Sequence, residues 1–101
     1  MVSINNHSQV IDRKGKDQYF RWKVFVDEPD SKLAEIVEVE YTLHPTFPAP
    51  HQVRTSRAEK FALETQGWGE FTMLVDVRFR DGSSETVPYH LDLKKGWPTE
   101  V

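Results

Sequence analysis

Two short stretches hold the residues whose types and spacing suggest chemistry. They are "HPTFPAPH", residues 44–51, and "GWGEF", residues 67–71. The first sets Phe47 among three prolines, with a histidine at each end. Prolines at that density rule out helix and central strand, so a large ring is carried on a stiff loop. The second places Trp68 between two glycines, where the backbone turns freely and another backbone can come close. Loops on a rigid scaffold are common recognition sites. Two readings of the rings stay open at this level. They cap the end of the core, or they are presented to a ligand; an aromatic ring is large enough to cap and still show one edge.

Catalysis finds little support. There is no cysteine, hence no thiolate nucleophile, disulfide or Cys-based metal site. No serine stands in a nucleophile-elbow pattern, and no H-x-x-x-H, HExxH or DxDxDG spacing occurs. Ser3, Ser8, Ser31, Ser56, Ser83 and Ser84 read as residues of turns or ends, where serine is common. His44 and His51 can approach each other around the proline loop, but a metal site needs a third ligand and the sequence nominates none. Lone loop histidines more often orient their neighbours through one hydrogen bond. The chain is therefore expected to be no enzyme and to use no cofactor or metal, since nothing pairs a nucleophile with a base.

The elements that must position these loops have a period of two. Phe20, Trp22, Val24 and Val26 share one face, with Phe25 as an exception. Val37, Val39, Tyr41 and Leu43 alternate with Glu38, Glu40 and Thr42; Phe71, Met73, Val75, Val77 and Phe79 alternate with Thr72, Asp76, Arg78 and Arg80. Val87, Tyr89, Leu91 and Leu93 form a last set, and Phe61, Leu63 and Thr65 a shorter one. Such alternation indicates half-buried antiparallel strands. A weaker first strand runs roughly from Ser8 to Arg13. Lys14-Gly15-Lys16 reads as a turn, Asp27 to Asp30 starts a loop, and Asp81-Gly82 is a hairpin signal. Pro88 puts its strand at a sheet edge. Ser31 to Val37 has helical character but is too short to compete. The tail "KKGWPTEV" reads as partly disordered, with Trp97 as its candidate for docking. About seven to eight short strands in 101 residues give an all-β fold, an immunoglobulin-like antiparallel β-sandwich, with a small barrel as the alternative.

Bulk properties narrow the partners. A length of 101 residues suggests one domain, spanning 1–101, able to form a core without staples. A net charge of -3 argues against nucleic acid, whose binders carry a dense basic patch. No apolar run approaches the ~20 residues that span a bilayer, so no membrane role is expected of this domain itself. No apolar signal-peptide region opens the chain, and the absence of cysteine fits a reducing compartment. The expected location is the cytoplasm, or the nucleus in a eukaryote.

The two loops together resemble those of the YEATS domain family, which shows an "LHPTF-x-x-P" type loop followed by a "GWGEF" or "GYAGF" type loop on an Ig-like sandwich. Here the stretches are "LHPTFPAPH" and "GWGEF". "RWKVFV" resembles the family's early "W-x-V-[FY]-V" strand and "YHLDL" its last strand, so the resemblance covers about residues 18–93 and leaves 94–101 as a tail. The short length and the "YFRWKVF" start are closer to the prokaryotic branch.

The resemblance implies a non-catalytic reader of acylated lysine, acetyl- or crotonyl-type, on a protein or peptide partner. Phe47 and Trp68 would be two walls of an aromatic slot for the flat acyl amide. Thr46 would hydrogen-bond the amide through its hydroxyl, and the backbone N–H of Trp68 or Gly69 would donate to the acyl carbonyl. His44 would fix Thr46 or its loop, Phe71 would support the slot, and Gly67 and Gly69 would let the backbone approach the ligand. Gln18 stands where many members carry an aromatic residue or histidine. Tyr19 and Phe20 are the adjacent candidates to substitute, and since Phe20 is in phase with the core residues Trp22 and Val24, Tyr19 is the one assigned to the site. His90 falls near the position where chromatin readers place an acidic residue for a histone arginine. The alternative is a protein-interaction or scaffold module without acyl binding, docking through Glu35, Glu38 and Glu40, though such a row also reads as a solvated sheet face.

Overall fold

A computed structural model describes residues 2–14, 17–67 and 69–97, the side chains of 12–18 excepted. Its strands are β1 (Ile4–Lys14), β2 (Asp17–Val26), β3 (Ile36–Thr42), β4 (His51–Arg54), β5 (Leu63–Gly67), β6 (Thr72–Phe79) and β7 (Ser84–His90). They form a three-stranded sheet in the order β1-β2-β5 and a four-stranded sheet in the order β4-β3-β6-β7. All pairings are antiparallel. This is the immunoglobulin-like sandwich expected from the alternation.

The inward sets meet between the sheets. Trp22, Val24 and Val26 from β2 are fully buried, as are Val39 and Tyr41 from β3 and Val75 and Val77 from β6. Burying each such side chain contributes about 1.5–3 kcal/mol relative to exposure. The phenolic O–H of Tyr41 donates to the Phe61 carbonyl at 2.6 Å, so its one polar atom is satisfied within the core. Phe61 is itself buried, but at φ 56 it precedes β5 rather than belonging to it. Pro88 sits on β7, an edge of its sheet, where a missing N–H removes no second ladder bond. The Asp81-Gly82 turn joins β6 to β7, with Gly82 at φ 91, a backbone state that glycine adopts without steric cost.

Several local readings need correction. The register of β3 against β6 shifts between Ile36 and Glu38, so Ile36 turns inward and Val37 is left 45% exposed. A bulge adds one residue and breaks strict alternation. Glu38 and Glu40 lie on the outer face, and both pair with Arg78, at 2.7 Å and 2.9 Å. One guanidinium thus bridges the two carboxylates across the strand pair, as on a solvated sheet face. The first strand starts at Ile4, well before Ser8. Ser8 is buried in mid-strand, not in a turn or end. The helical stretch is a single turn, α1 (Asp30–Leu33), and a further 3₁₀ turn covers Arg57–Glu59.

Asn6 and Ser8 explain the fate of the tail. Asn6 is fully buried; its side-chain amide donates to the Asp92 carbonyl at 2.9 Å, and its Oδ1 accepts from the Asp92 N–H at 3.2 Å and from the Tyr89 hydroxyl. The Ser8 N–H donates to the Lys95 carbonyl at 2.8 Å, and Ser8 also bridges to Gly96 in parallel. The segment after β7 thus runs along the free edge of β1. Through Trp97 it is docked, where the sequence had suggested partial disorder. Residues 15, 16 and 98–101 of the turn and tail readings lie outside the described residues.

Candidate functional site

The loop between β3 and β4 is built to hold one conformation. The Leu43 N–H donates to the Pro50 carbonyl at 2.7 Å and closes its neck, and the Phe47 N–H donates to the His44 carbonyl at 3.0 Å inside it. Proline fixes φ at three of the remaining positions. Phe47 is consequently aimed back across the sandwich end. Its ring meets Trp22 edge-on (centroids 6.3 Å apart, 86° between planes) and Phe71 at a tilt (5.4 Å, 51°). Phe71 in turn packs edge-on against Trp22 at 5.9 Å and against His44 at 6.5 Å. These separations suit the quadrupoles of edge-to-face pairs. Phe47 is half-buried, so it both caps the core and shows a face.

That face borders an open cleft of ≈ 580 Å³. Tyr19, His44, Thr46, Phe47, Gly67, Gly69 and Phe71, all expected at a site from the sequence, line it together. Trp68 lies outside the described residues, and so does the Gln18 side chain. The distance between the rings of Phe47 and Trp68 is therefore not part of this geometry. Pro48, Gln66 and Glu70 also line the cleft and were given no role from the sequence. Glu70 stood in plain view in "GWGEF"; Gln66 was legible only as the outward position before the glycine loop.

The polar groups have defined orientations. The Thr46 N–H donates to His44 Nδ1 at 3.3 Å, and the Thr46 hydroxyl lies 2.9 Å from the same nitrogen. A ring nitrogen that accepts an N–H carries no proton. The only proton available between Nδ1 and the hydroxyl is then the hydroxyl's own. With that proton so used, the Thr46 oxygen keeps lone pairs to accept a further hydrogen bond, and Thr46 lines the cleft. The expected link from His44 to Thr46 is thus present in the fold. His51, by contrast, turns to β3, 3.4 Å from the Thr42 hydroxyl and 3.8 Å from Glu40, so the two histidines are not brought together. No cluster able to hold a metal ion occurs among the described residues.

Glu70 is held from behind. Its Oε2 accepts the Leu93 N–H at 2.9 Å and its Oε1 lies 3.6 Å from His90 Nε2, while His90 Nδ1 is 3.1 Å from the Thr72 hydroxyl. Gly67 backs directly onto the aromatic floor. A Cβ there would lie 3.5 Å from Trp22 Nε1 and 3.8 Å from Phe47 Cζ, whereas one on Gly69 would meet open space. Both distances at Gly67 are ordinary van der Waals contacts, so a Cβ would touch the aromatic floor without clashing with it. The Trp22 indole N–H is buried with no hydrogen-bond acceptor among the described residues.

Known proteins resemble the chain in sequence and in fold. The AF-9 homolog of Kluyveromyces lactis is 38% identical over 72 residues, which is 69% of this chain and 32% of that protein. Transcription initiation factor TFIID subunit 14 of Schizosaccharomyces pombe is 39% identical over 59 residues, 58% of this chain and 23% of that protein. The chain spans about a third or less of the length of these curated relatives. Among solved structures, a Yaf9 YEATS domain recognising an H3K122suc peptide superposes with a TM-score of 0.71 at 21% identity, covering 92% of this chain and 77% of that one. A Yaf9 YEATS domain bound to H3K27ac gives a TM-score of 0.68 at 20% identity, over 92% and 76%. At that identity the likeness speaks to the fold. A family model described as the prokaryotic YEATS domain matches residues 20–92, and the chain belongs to that family.

Proposed function

We propose that this domain is a non-catalytic reader of acylated lysine, with acetyl- or crotonyl-type groups entering the cleft beside Phe47. The observation that carries the reading is the cleft itself: an aromatic floor of Phe47 and Phe71 beside the Thr46 acceptor. A flat amide stacked on such rings gains on the order of 1 kcal/mol per ring beyond area burial. Its N–H meets the Thr46 oxygen, and its carbonyl takes a backbone N–H from the glycine loop at Trp68 or Gly69. The solved Yaf9 YEATS domains with H3K122suc and H3K27ac peptides support the ligand class.

Selection against unmodified lysine follows from solvation. An ammonium entering the cleft must shed water, at several kcal/mol unless paired. A cation–π contact recovers only about 0.5–2 kcal/mol. Glu70, whose Oε2 accepts the Leu93 N–H, is the one carboxylate among the described lining residues, and its remaining lone pairs set the limit on this selection. A scaffold module without acyl binding differs in having the gap between the Phe47 and Trp68 rings filled by protein side chains. Substitution tests it: Phe47→Ala and Trp68→Ala should each abolish binding of an acetyl-lysine peptide while the folded NMR spectrum persists. Retention of peptide binding in both variants would overturn the assignment.

A further inference from the structure

We propose that Arg21 and Trp97 form a carboxylate anchor beside the cleft, taking an aspartate or glutamate two residues from the acyl-lysine of a bound peptide. This inference rests on the acyl-lysine reading and adds a sequence preference to it. The geometry starts from Tyr19, which lines the cleft. Tyr19 and Arg21 are two apart on β2 and point to the same outer face of the sheet, about 6.6 Å from each other. An extended peptide repeats with the same spacing. Gln66, another cleft residue, is the cross-strand partner of Arg21 in β5, so Arg21 lies immediately next to the cleft rim.

Arg21 is prepared for a partner it lacks. Its guanidinium carbon lies 4.3 Å from the centroid of the Trp97 ring. Stacking covers the face of the guanidinium and leaves its edge, the part that matches a carboxylate with two parallel hydrogen bonds. Among the described residues Arg21 makes no ion pair; its Nε is buried, so an incoming carboxylate would meet the two Nη groups. The ring is held in place from behind, because the Ser8–Gly96 bridge and the Ser8 to Lys95 bond fix the backbone that precedes Trp97. Lys23 adds a second positive charge, with its ammonium 5.4 Å from the same ring. Glu64 is opposite Lys23 across β2 and β5, but the two make no ion pair within 4.0 Å. Two cations beside one ring, on a chain of net charge -3, suit an acidic flank.

Acetyl-lysine peptides carrying glutamate two residues before or two residues after the modified lysine, with alanine counterparts and matched unmodified-lysine controls, test it by calorimetric titration. Glutamate in one of the two positions should tighten binding about three- to tenfold, the range for a partly exposed charge-assisted pair. That ratio should fall to about one in Arg21→Gln, shrink in Trp97→Ala, and reverse in favour of a lysine-flanked peptide in Arg21→Glu. Equal affinity for glutamate and alanine peptides at both positions, or a glutamate preference that survives Arg21→Gln, overturns the anchor. Preference for acetyl-lysine over lysine without any acid preference sinks the anchor alone. Loss of the acetyl-lysine preference sinks the acyl-lysine reading and the anchor with it.

Discussion

Replacing Thr46 by valine keeps the side-chain shape and removes one oxygen, so it isolates the polar half of the cleft. His44 Nδ1 has a single lone pair, and in the free protein it faces both the Thr46 N–H at 3.3 Å and the Thr46 hydroxyl at 2.9 Å. The valine variant keeps the first of these contacts, so the loop should hold its conformation. Thr46 is exposed, and its change should move stability by less than about 0.5 kcal/mol. Binding should respond more. A neutral hydrogen bond is worth about 0.5–1.5 kcal/mol, and an acyl-amide N–H desolvated without an acceptor costs about 1–3 kcal/mol. Acetyl-lysine affinity should therefore fall about five- to 150-fold in Thr46→Val, and Thr46→Ser should recover most of it. Nitrogen chemical shifts of the His44 ring provide an independent reading, since a neutral ring whose Nδ1 accepts the Thr46 N–H carries its proton on Nε2. A Thr46→Val protein that binds like the parent, or a His44 ring with its proton on Nδ1, would refute the acceptor role.

Asn6 is distant from the cleft but ties β1 to the Tyr89–Asp92 segment through three hydrogen bonds. Asn6→Leu leaves three buried or half-buried groups unpaired, at ~1–3 kcal/mol each, and should lower the melting temperature by more than about 10 °C; a shift under 3 °C would show that the hub is not structural. Burial first, and then the Asp92 charge, push the Tyr89 hydroxyl up from 10.0 to about 12. A raised folded value means the unfolded chain loses its proton first, so this stabilisation is complete below pH 10 and is lost as pH rises from 10 toward 12. Urea titrations at pH 9 and pH 11 should show a decline that is smaller in Tyr89→Phe.

How much of this was legible in the sequence depends on the kind of signal. Period-two alternation fixed the faces of β2, β6 and β7, because one burial face demands one phase. It failed at Ile36–Glu38, where Ile36 and Val37 are equally apolar and only the bulge decides which turns inward. It also failed at Asn6 and Ser8, polar residues in a strand whose partners lie more than 80 positions away. The two loops were readable as stiff and as free to turn, but their meeting around one cleft was not a local property. Family resemblance joined them, and the fold places Tyr19, His44, Thr46, Phe47, Gly67, Gly69 and Phe71 on one cavity wall. The Arg21–Trp97 stack, 76 positions apart by their numbers, left no trace in pattern or spacing.

The central claim is that the cleft distinguishes a neutral acyl amide from an ammonium. Titration of the unaltered domain with one peptide, carrying either acetyl-lysine or lysine at a single position and followed by amide chemical shifts, measures this directly. The account predicts binding at least tenfold tighter for the acetylated form, with the shifts centred on Thr46, Phe47, Gly69 and Phe71. Equal affinity for the two peptides, or shifts confined to other surfaces, would contradict it.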